Sequence, residues 1–497
     1  MNFLSVLLNK HEFEKMNLLE KTFEYDCSNV SEFADLIGLK RSTVRAGLNE
    51  LEEDLLQAVE TDEYIQDFYN LNIYDKERIY HQLESFYLVG SIPYQILFHI
   101  VAGEYTTLEN LAYELNVSIS YLYKKIHNMN SFFKEKKLDI SIKKNNKYLT
   151  LNGKEENIRL FLFLFFYYNF RSFQWPFTSL NKDFNHSYEL SNKLLTDRSN
   201  ETQLAIKYLD TIVKLRNDKQ KYLPKLPKEL YFMLHTLKQY TDSAVEIFDS
   251  LNISFHHMED EENELFYYIA LANIFIPNIK SIANKSKIGK QLIENKEDEF
   301  AKFCTYFLEQ FLQAFNLTVS DSDKYEIMFY FSVYFLATNL FQKDVIDLTN
   351  ILSIKKYEFY QDDKDIHNVE EFYNNFIDNN QNISNIDNLR NYSVFGCTIF
   401  YFVLKTYNKK LLKVYIEYSK VLNGTQIIRK KISNCYNPTT VEIVDTKQEG
   451  GLIISDYLER PERDVKHFIF DNIFSVETWT LAFNYINQIL IDKTFKD

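Results

Sequence analysis

The stretch from Tyr105 to Lys154 constrains the fold more than any other part of the chain. The elements that its pattern predicts are a short amphipathic helix over Thr107 to Leu115, a tight turn at Asn116, a second helix over Ser118 to Lys136 and a hairpin over Leu138 to Leu151. Asn116 suits the turn because Asn tolerates the left-handed conformation better than most residues. This order of elements predicts a winged helix-turn-helix domain.

Helical spacing separates the side chains of this stretch into a buried set and an outer set. The positions that two steeply crossed helices must bury are Leu111, Ala112, Leu115, Val117, Leu122 and Ile126. The outer face, which is free to enter a DNA major groove, carries Ser118, Ser120, Tyr121, Lys124, Lys125 and Asn128.

The charge of this stretch favours the same interpretation. From Ser118 to Lys154 nine lysines stand against two acidic residues, a net charge of +7 with His127 neutral, whereas the whole chain carries −14. A basic segment in an acidic protein is typical of nucleic-acid binding, because cations neutralise phosphates. The lysines expected at phosphates are Lys124, Lys125, Lys143, Lys144 and Lys147. The competing interpretation is a solvated lysine face.

A second copy of the motif lies 78 positions earlier, within Met16 to Leu56. Its core positions, which match those of the later copy in one register, are Phe33, Ala34, Ile37, Gly38, Leu39, Val44 and Leu48. Its outer helix presents Lys40, Arg41, Ser42, Thr43, Arg45 and Asn49. We expect Ser31 to cap its first helix. The acidic run from Glu50 to Asp54 should confine DNA contact to the first two turns of the outer helix. The segment from Thr61 to Asp75 is expected to hold a wing or a connection.

The rest of the chain changes character twice. From Glu155 to Thr406 the pattern is mostly helical, which predicts two helical bundles joined near Ile276 to Ile288; one helix is expected over Pro227 to Leu251 and the last over Leu389 to Thr406. From Leu411 onward, strands alternate with helices and predict a small α/β domain with a parallel sheet. The fold class is therefore mainly α, and the predicted domains are 1–75, 76–154, 155–275, 276–409 and 410–497.

The composition bears on the cellular compartment. The four cysteines are far apart and lack metal-ligand spacing, which predicts reduced thiols. There is no signal-peptide pattern, and the apolar runs Leu160 to Tyr168 and Ile327 to Leu340 are shorter than the ~20 residues that cross a bilayer. We therefore expect a cytoplasmic protein without a membrane partner.

With two helix-turn-helix units, two helical bundles and a terminal α/β domain, the chain resembles the Mga/AtxA family of virulence and carbon-responsive regulators of Gram-positive bacteria. At residue level the two helix-turn-helix units carry the resemblance. It implies that the bundles are similar to phosphotransferase-regulation domains (PRDs), which the sugar phosphotransferase system phosphorylates on histidine. It also implies that the terminal domain looks like an EIIB-type fold, which assists self-association in this family.

Three histidines of the predicted bundles are candidates for phosphorylation. His186 in a polar loop and His367 after an acidic run are expected to be accessible, whereas His235, between Leu234 and Leu237, is expected to be half buried. A phosphohistidine adds negative charge that can shift a two-state interface. For each histidine, an ordinary surface or core residue is the competing interpretation.

No motif in the chain points to catalysis. It lacks a Gly-rich phosphate loop, H-E-x-x-H and G-x-S-x-G, so enzymes of those kinds are disfavoured, and no cofactor is predicted. The adjacent His256 and His257 are not expected to bind metal, because neighbouring side chains point apart. An EIIB-type carrier often holds a cysteine just after its first strand; the stretch from Glu417 to Thr425 has none, which favours a structural or dimerisation module.

The sequence thus predicts a homodimeric transcriptional regulator that binds double-stranded promoter DNA. The residues expected near base edges are Ser120, Tyr121, Asn128, Ser42, Arg45 and Asn49. RNA polymerase and a phosphocarrier protein are further candidate partners. The alternatives are an antiterminator-like RNA-binding regulator and an enzymatic component of the phosphotransferase system.

Overall fold

A computed structural model describes residues 3–24, 29–59, 73–103, 106–170, 175–178, 188–190, 192–196, 199–240, 243–255, 257–276, 279–342, 363–380, 401, 411–421, 423–457 and 465–495. They form two compact units. The first comprises Met1–Tyr306, Tyr325–Phe359 and Asn380–Ser393, and the second comprises Phe307–Lys324, Tyr360–Asn379 and Val394–Asp497. Helices predominate, with a small parallel sheet near the C-terminus, so the mainly α prediction is confirmed. The boundaries between the five predicted domains stay a prediction.

The first part of the first unit contains short helices followed by a hairpin. Its elements are α1 Leu4–Leu7, α2 Lys10–Glu24, α3 Val30–Ile37, α4 Arg41–Val59, α5 Ile73–Gly90, α6 Ile92–Ala102, α7 Leu108–Glu114, α8 Ile119–Glu135, β1 Ile140–Asn145 and β2 Tyr148–Gly153. The strands pair antiparallel, with Ile140 opposite Gly153 and Asn145 opposite Tyr148. Asn146 has a φ of 54°, which the tight turn between the strands requires and Asn tolerates.

The two predicted copies make the same turn between their helices. Gly38 and Asn116, 78 positions apart, both adopt the left-handed conformation, with φ of 69° and 52°. The next amide donates to a carbonyl five residues back in each copy, Leu39 to Ala34 and Val117 to Ala112, both at 3.0 Å. The predicted left-handed turn at Asn116 is therefore confirmed.

The cap of α3 corrects one prediction. Asn29, not Ser31, precedes the helix, and its Oδ1 accepts hydrogen bonds from the backbone N–H groups of Ser31 and Glu32, both at 3.0 Å. Ser31 lies inside the first turn, where its own amide is one of the groups that need a partner. Thr107, 78 positions later, caps α7 in the same way by accepting from the amide of Asn110.

Most predicted core positions of the two copies are buried. They are Phe33, Ala34, Val44 and Leu48 in the first copy and Leu111, Ala112, Leu122 and Ile126 in the second. The positions next to the turns differ from the prediction: Ile37, Leu115 and Val117 are half-buried, and Leu39 is 46% exposed. The reason is that the left-handed residue turns the chain at the rim of the contact between the helices, where neighbouring side chains are only partly covered. The segment predicted to hold a wing of the first copy falls largely on 60–72, outside the described residues.

The remaining helices follow the hairpin. They are α9 Glu155–Phe170, α10 Asn200–Asp218, α11 Tyr231–Gln239, α12 Ala244–Ser250, α13 Met258–Phe275, α14 Ile282–Glu294, α15 Glu299–Ala314, α16 Asp321–Phe341 and α17 Asp363–Asn379. Helix α9 is buried along nearly its whole length and packs against α5, α10 and β2. An all-round apolar helix is stable in water only when it is enclosed in this way.

One prediction for this region is wrong. The single helix expected over Pro227 to Leu251 is two helices, because α11 ends at Gln239 and α12 begins at Ala244. The join expected at Ile276 to Ile288 overlaps the first half of α14, which starts where the Ser281 hydroxyl accepts a hydrogen bond from the amide of Asn284 at 3.2 Å, and the join between two bundles stays a prediction. The helix predicted over Leu389 to Thr406 lies outside the described residues except for Tyr401.

Lysine side chains bind the C-terminal carbonyl groups of several helices. The ammonium-to-oxygen pairs are Lys76 with Thr22, Lys219 with Ile100 and Gly103, Lys214 with Leu251, and Lys280 with Leu237 and Tyr240, at 2.6–3.2 Å. The chain has only 10 Gly, the usual C-terminal capping residue, and a cation both satisfies the last carbonyls and complements the helix dipole. Burial, with a smaller contribution from Arg216, lowers the pKa of Lys219 to about 8.

A buried ion network joins α9, α10 and α13. Arg159 on α9 is 1% exposed and donates to both carboxylate oxygens of Glu264 on α13, to the Glu155 carboxylate and to the Lys221 carbonyl. Glu155 also accepts two hydrogen bonds from Arg216 on α10, at 2.6 and 2.8 Å. Each charge therefore has a partner of opposite sign, as burial of charge requires.

The C-terminal part of the second unit is an α/β fold. Its elements are β3 Leu412–Glu417, α18 Gly424–Cys435, β4 Val441–Val444, β5 Leu452–Ser455, β6 Lys466–Ile469 and α19 Val476–Phe495. The strand order is β4-β3-β5-β6 and every pair is parallel, so the predicted parallel sheet is confirmed. Leu412, Val414, Leu452 and Ile454 on the central strands are fully buried.

In the described ranges, no single helix is long and apolar enough to cross a bilayer. The helices Asp75–Gly90 and Ile92–Ala102 reach that length and apolar character only together, and a bend of 73° separates them.

Replacing Arg159 with Met should lower the free energy of unfolding by about 3–5 kcal/mol, because it leaves the buried Glu264 without its countercharge. Urea unfolding followed by circular dichroism measures this loss. The matched control is K225M, which removes an exposed ion pair with Glu259 at 3.3 Å and should cost about 0–1 kcal/mol. Equal losses in the two variants would contradict a special role for the buried network.

Candidate nucleic-acid interface

Helix α8 has one buried face and one exposed face. It begins after Ser118, whose hydroxyl accepts a hydrogen bond from the Tyr121 amide at 3.2 Å. Its buried side chains are Leu122, Ile126, Met129, Phe132 and Phe133. Because these recur at helical spacing, the opposite face of the helix is left open to a ligand.

The structure places the predicted contact residues of this copy on the surface. The exposed ones are Ser118, Ser120, Tyr121, Lys124, Asn128, Lys143, Lys144 and Lys147. Lys125 is only half-buried and lies nearer the packed flank, with its Nζ 5.5 Å from the centre of the Tyr121 ring. Lys124 therefore lies nearer the centre of the outer face than Lys125 does.

Two residues on the same face were missed in the sequence reasoning. Tyr123 is 51% exposed and His127 is also exposed. Both lie on the side of α8 opposite Met129, so the spacing of the buried residues was the signal that should have included them. A tyrosine ring and an imidazole can each contact base edges or backbone phosphates.

The wing is attached directly to α8. The side-chain amide of Asn130 donates to the Ile142 carbonyl at 2.9 Å, and its Oδ1 accepts from the Ile142 amide at 2.7 Å. On the other edge of the hairpin, the Leu149 amide donates to the Thr106 carbonyl at 2.8 Å. These bonds hold the wing in a set position beside the outer face of α8, so the lysines of both elements form one basic surface.

The outer residues of the first copy are also exposed. They are Lys40, Arg41, Ser42, Thr43, Arg45 and Asn49 on and next to α4. Two acids of the following run point elsewhere: a carboxylate oxygen of Glu50 lies 2.7 Å from Nε2 of His11 on α2, and Asp54 accepts from Lys15 of α2 and Tyr87 of α5. The basic side chains of the first two turns therefore face solvent with less acidic surface beside them than the sequence suggests.

The histidine candidates have different surroundings. His235 is exposed rather than half buried, and its ring lies edge-on to Phe266 with centroids 4.8 Å apart. It differs from the prediction because Leu234 and Leu237 occupy the inner face of α11 while His235 occupies the outer face. His367 on α17 is exposed, and His186 lies outside the described residues.

The described ranges contain no group of three or more His, Cys, Asp or Glu side chains that could hold a metal ion, and His256 lies outside them.

An aspartate closes the loop after β3. The Oδ2 of Asp456 accepts hydrogen bonds from the amides of Ser419 and Lys420 at 2.9 and 2.8 Å and from the Ser419 hydroxyl at 3.0 Å. Burial acts to raise the pKa of Asp456, but these hydrogen bonds outweigh it and lower the pKa. A carboxylate of the chain itself therefore occupies the anion-binding groups of this loop. Cys435 is exposed at the end of α18, one helix away from the loop.

A helix-turn-helix with an exposed, lysine-bearing second helix and an adjoining wing defines a class of DNA-binding domain. The family model described as the Mga helix-turn-helix domain matches residues 76–166, which span α5 to α9 and include the α7–turn–α8 motif and the hairpin. The match confirms the resemblance to the Mga family at these residues, and it indicates a DNA-binding helix-turn-helix domain there. A search of curated proteins found no match.

Proposed function

We propose that this protein is a transcriptional regulator of the Mga/AtxA type that binds promoter DNA through two winged helix-turn-helix units. The observation that carries the proposal is the basic surface made by the outer face of α8 and the wing that Asn130 attaches to it. Exposed lysines neutralise phosphates, and the exposed polar side chains near the start of α8 lie where recognition helices reach base edges. Binding to chromosomal DNA places the protein in the cytoplasm.

The first copy supports a second DNA contact. Its turn has the same left-handed residue and the same backbone hydrogen bond as the Mga-type copy, and Arg41 and Arg45 are exposed on α4. With nine lysines from Ser118 to Lys154, the second copy is the stronger electrostatic partner. RNA polymerase is the further partner that transcription regulation at a promoter implies.

Replacing Lys124 and Lys125 together with Ala should weaken binding to every DNA sequence and make binding less sensitive to salt. Two lost phosphate contacts lower the slope of log Kobs against log salt by about 1.8. Fluorescence anisotropy with mixed-sequence 40-base-pair DNA over a salt titration measures this slope. Lys225 and Lys228, both exposed and outside the Mga-type domain, provide the control K225A/K228A.

Unchanged affinity and slope in K124A/K125A would contradict the assignment of this surface. The same titration with single-stranded and hairpin RNA tests the antiterminator-like alternative, which tighter binding to RNA than to DNA would favour.

We propose that histidine phosphorylation by a phosphocarrier protein tunes this activity, with His186, His235 and His367 as the acceptors. His235 and His367 support it by their exposure, since a carrier must reach the imidazole. Mass spectrometry after incubation with phosphorylated carrier should find label on at least one of the three. Label confined to other residues, or none at all, would exclude these acceptors.

We propose that the terminal α/β domain joins two copies of the chain and does not carry phosphate. The loop after β3 favours this because Asp456 fills it with the chain's own carboxylate. The outer face of α19 supports a helix pair: Leu481 and Ile491 are 56% and 49% exposed, and with Asn484 and Gln488 they follow heptad spacing. No charged residue lies between Glu477 and Asp492 to oppose burial of this face.

The L481E substitution should convert a dimer to a monomer, because a pair of copies would bury the new carboxylate without a countercharge. Sedimentation velocity at micromolar concentration measures the change. T439E, at an exposed residue of the same unit, is the control and should remain dimeric. A dimer that survives L481E would exclude this face of α19 as the interface.

A further inference from the structure

A lysine-lined cleft lies between the C-terminal end of α8 and the start of β1. It has a volume of about 510 Å³, and its lining includes Lys134, Lys137, Lys143, Asp139 and Gly153. Phe133 also contributes to the lining, and it is otherwise fully buried. Three cations and one carboxylate thus surround a space large enough for a phosphate group.

The backbone holds the cleft in shape. Lys137 and Asp139 are both in the left-handed conformation, with φ of 52° and 53°, and the buried Leu138 between them anchors the segment. The chain therefore leaves α8 and enters β1 within a few residues. A Cβ at Gly153, on the opposite wall, would overlap the Asp139 carbonyl oxygen, so the close approach of the two walls requires glycine.

The lysines of the cleft differ from their neighbours in their pairing. Lys136 pairs with Glu135 at 3.5 Å, and Lys144 pairs with Glu109 at 3.4 Å. For Lys134, Lys137 and Lys143, no carboxylate of the described residues, including Asp139, lies within ion-pair distance. Three like charges on residues that line one cleft repel one another, so a bound anion would be favoured there.

The position of the cleft relative to the reading face determines which phosphate it can reach. Ser120, His127 and Lys134 are seven residues apart and share one face of α8. At 1.5 Å per residue, Lys134 lies about 21 Å from Ser120 along the helix. The major groove is only about 12 Å wide, so a helix that enters the groove at its N-terminal end leaves Lys134 outside, beside the flanking backbone.

We propose that the Lys134/Lys137/Lys143 cleft binds a backbone phosphate of the DNA that flanks the groove read by the N-terminal half of α8. The identity of the ligand rests on the proposed function, whereas the anion-binding character of the cleft rests on its geometry. The contact extends the bound DNA beyond the reading face and adds affinity that does not depend on base sequence.

The test uses the full chain with K134Q and K137Q together, a change that removes two charges and leaves polar side chains at both positions. On the mixed-sequence 40-base-pair duplex, the slope of log Kobs against log salt should fall by about 0.9, the contribution of one phosphate contact. K287Q/K290Q, at exposed lysines of α14, is the control and should keep the wild-type slope. Equal melting temperatures of the variants without DNA establish that they are folded.

A wild-type slope in K134Q/K137Q, with a reduced slope in K124A/K125A, would overturn the cleft proposal and leave the proposed function standing. A second arm compares the melting temperatures of the wild type and K134Q/K137Q in phosphate and chloride buffers of equal ionic strength. The decisive outcome is a melting temperature that phosphate raises in the wild type and not in K134Q/K137Q, while the salt slope of DNA binding is the same in both proteins. That outcome would assign the cleft to free phosphate and overturn the DNA contact. If the wild type binds no DNA at low salt, the proposed function fails, and with it the assignment of a DNA phosphate to the cleft.

Discussion

The buried guanidinium of Arg159 is the contact on which the arrangement of the first unit depends. It joins α9 to α13 through Glu264, and Glu155 links it to Arg216 of α10. Glu155 is the first residue of α9, and only Lys154 separates it from Gly153, the last residue of the wing. Buried ion pairs add little net stability over apolar packing, but they penalise every arrangement in which one charge is unpaired. The network therefore favours one register of α9 against α10 and α13. That register also sets where α9 begins after the wing.

Lysine has two distinct roles in this protein. Inside the first unit, Lys76, Lys214, Lys219 and Lys280 bind carbonyl groups at helix ends. On α8 and the wing, lysines face solvent and present charge to a ligand. The difference is one of burial: a desolvated ammonium must be satisfied within the fold, whereas an exposed one keeps its charge available for phosphate.

The helix-turn-helix was predictable because its signals are local. A cap at Ser118, a left-handed Asn116 and the spacing of Leu111, Leu122 and Ile126 depend on neighbours a few residues away, and the Mga-type match lies over the same residues. The errors arose where local signals competed. Asn29 and Ser31 are both good caps, and only the path of the chain decided between them. The break after Gln239 has no Gly or Pro to mark it, so the 3.6-residue pattern runs through it.

The sequence by itself determined the element types, the internal repeat, the basic stretch and the parallel α/β end, because period, capping and charge are properties of short segments. Tertiary structure alone decided which charged side chains are available. It turned Glu50 and Asp54 toward α2 and α5, placed Lys125 on a flank and gathered Lys134, Lys137 and Lys143 around one cleft. The physical reason is that exposure and ion pairing depend on elements that are distant in the chain, and no local pattern records which of them come together.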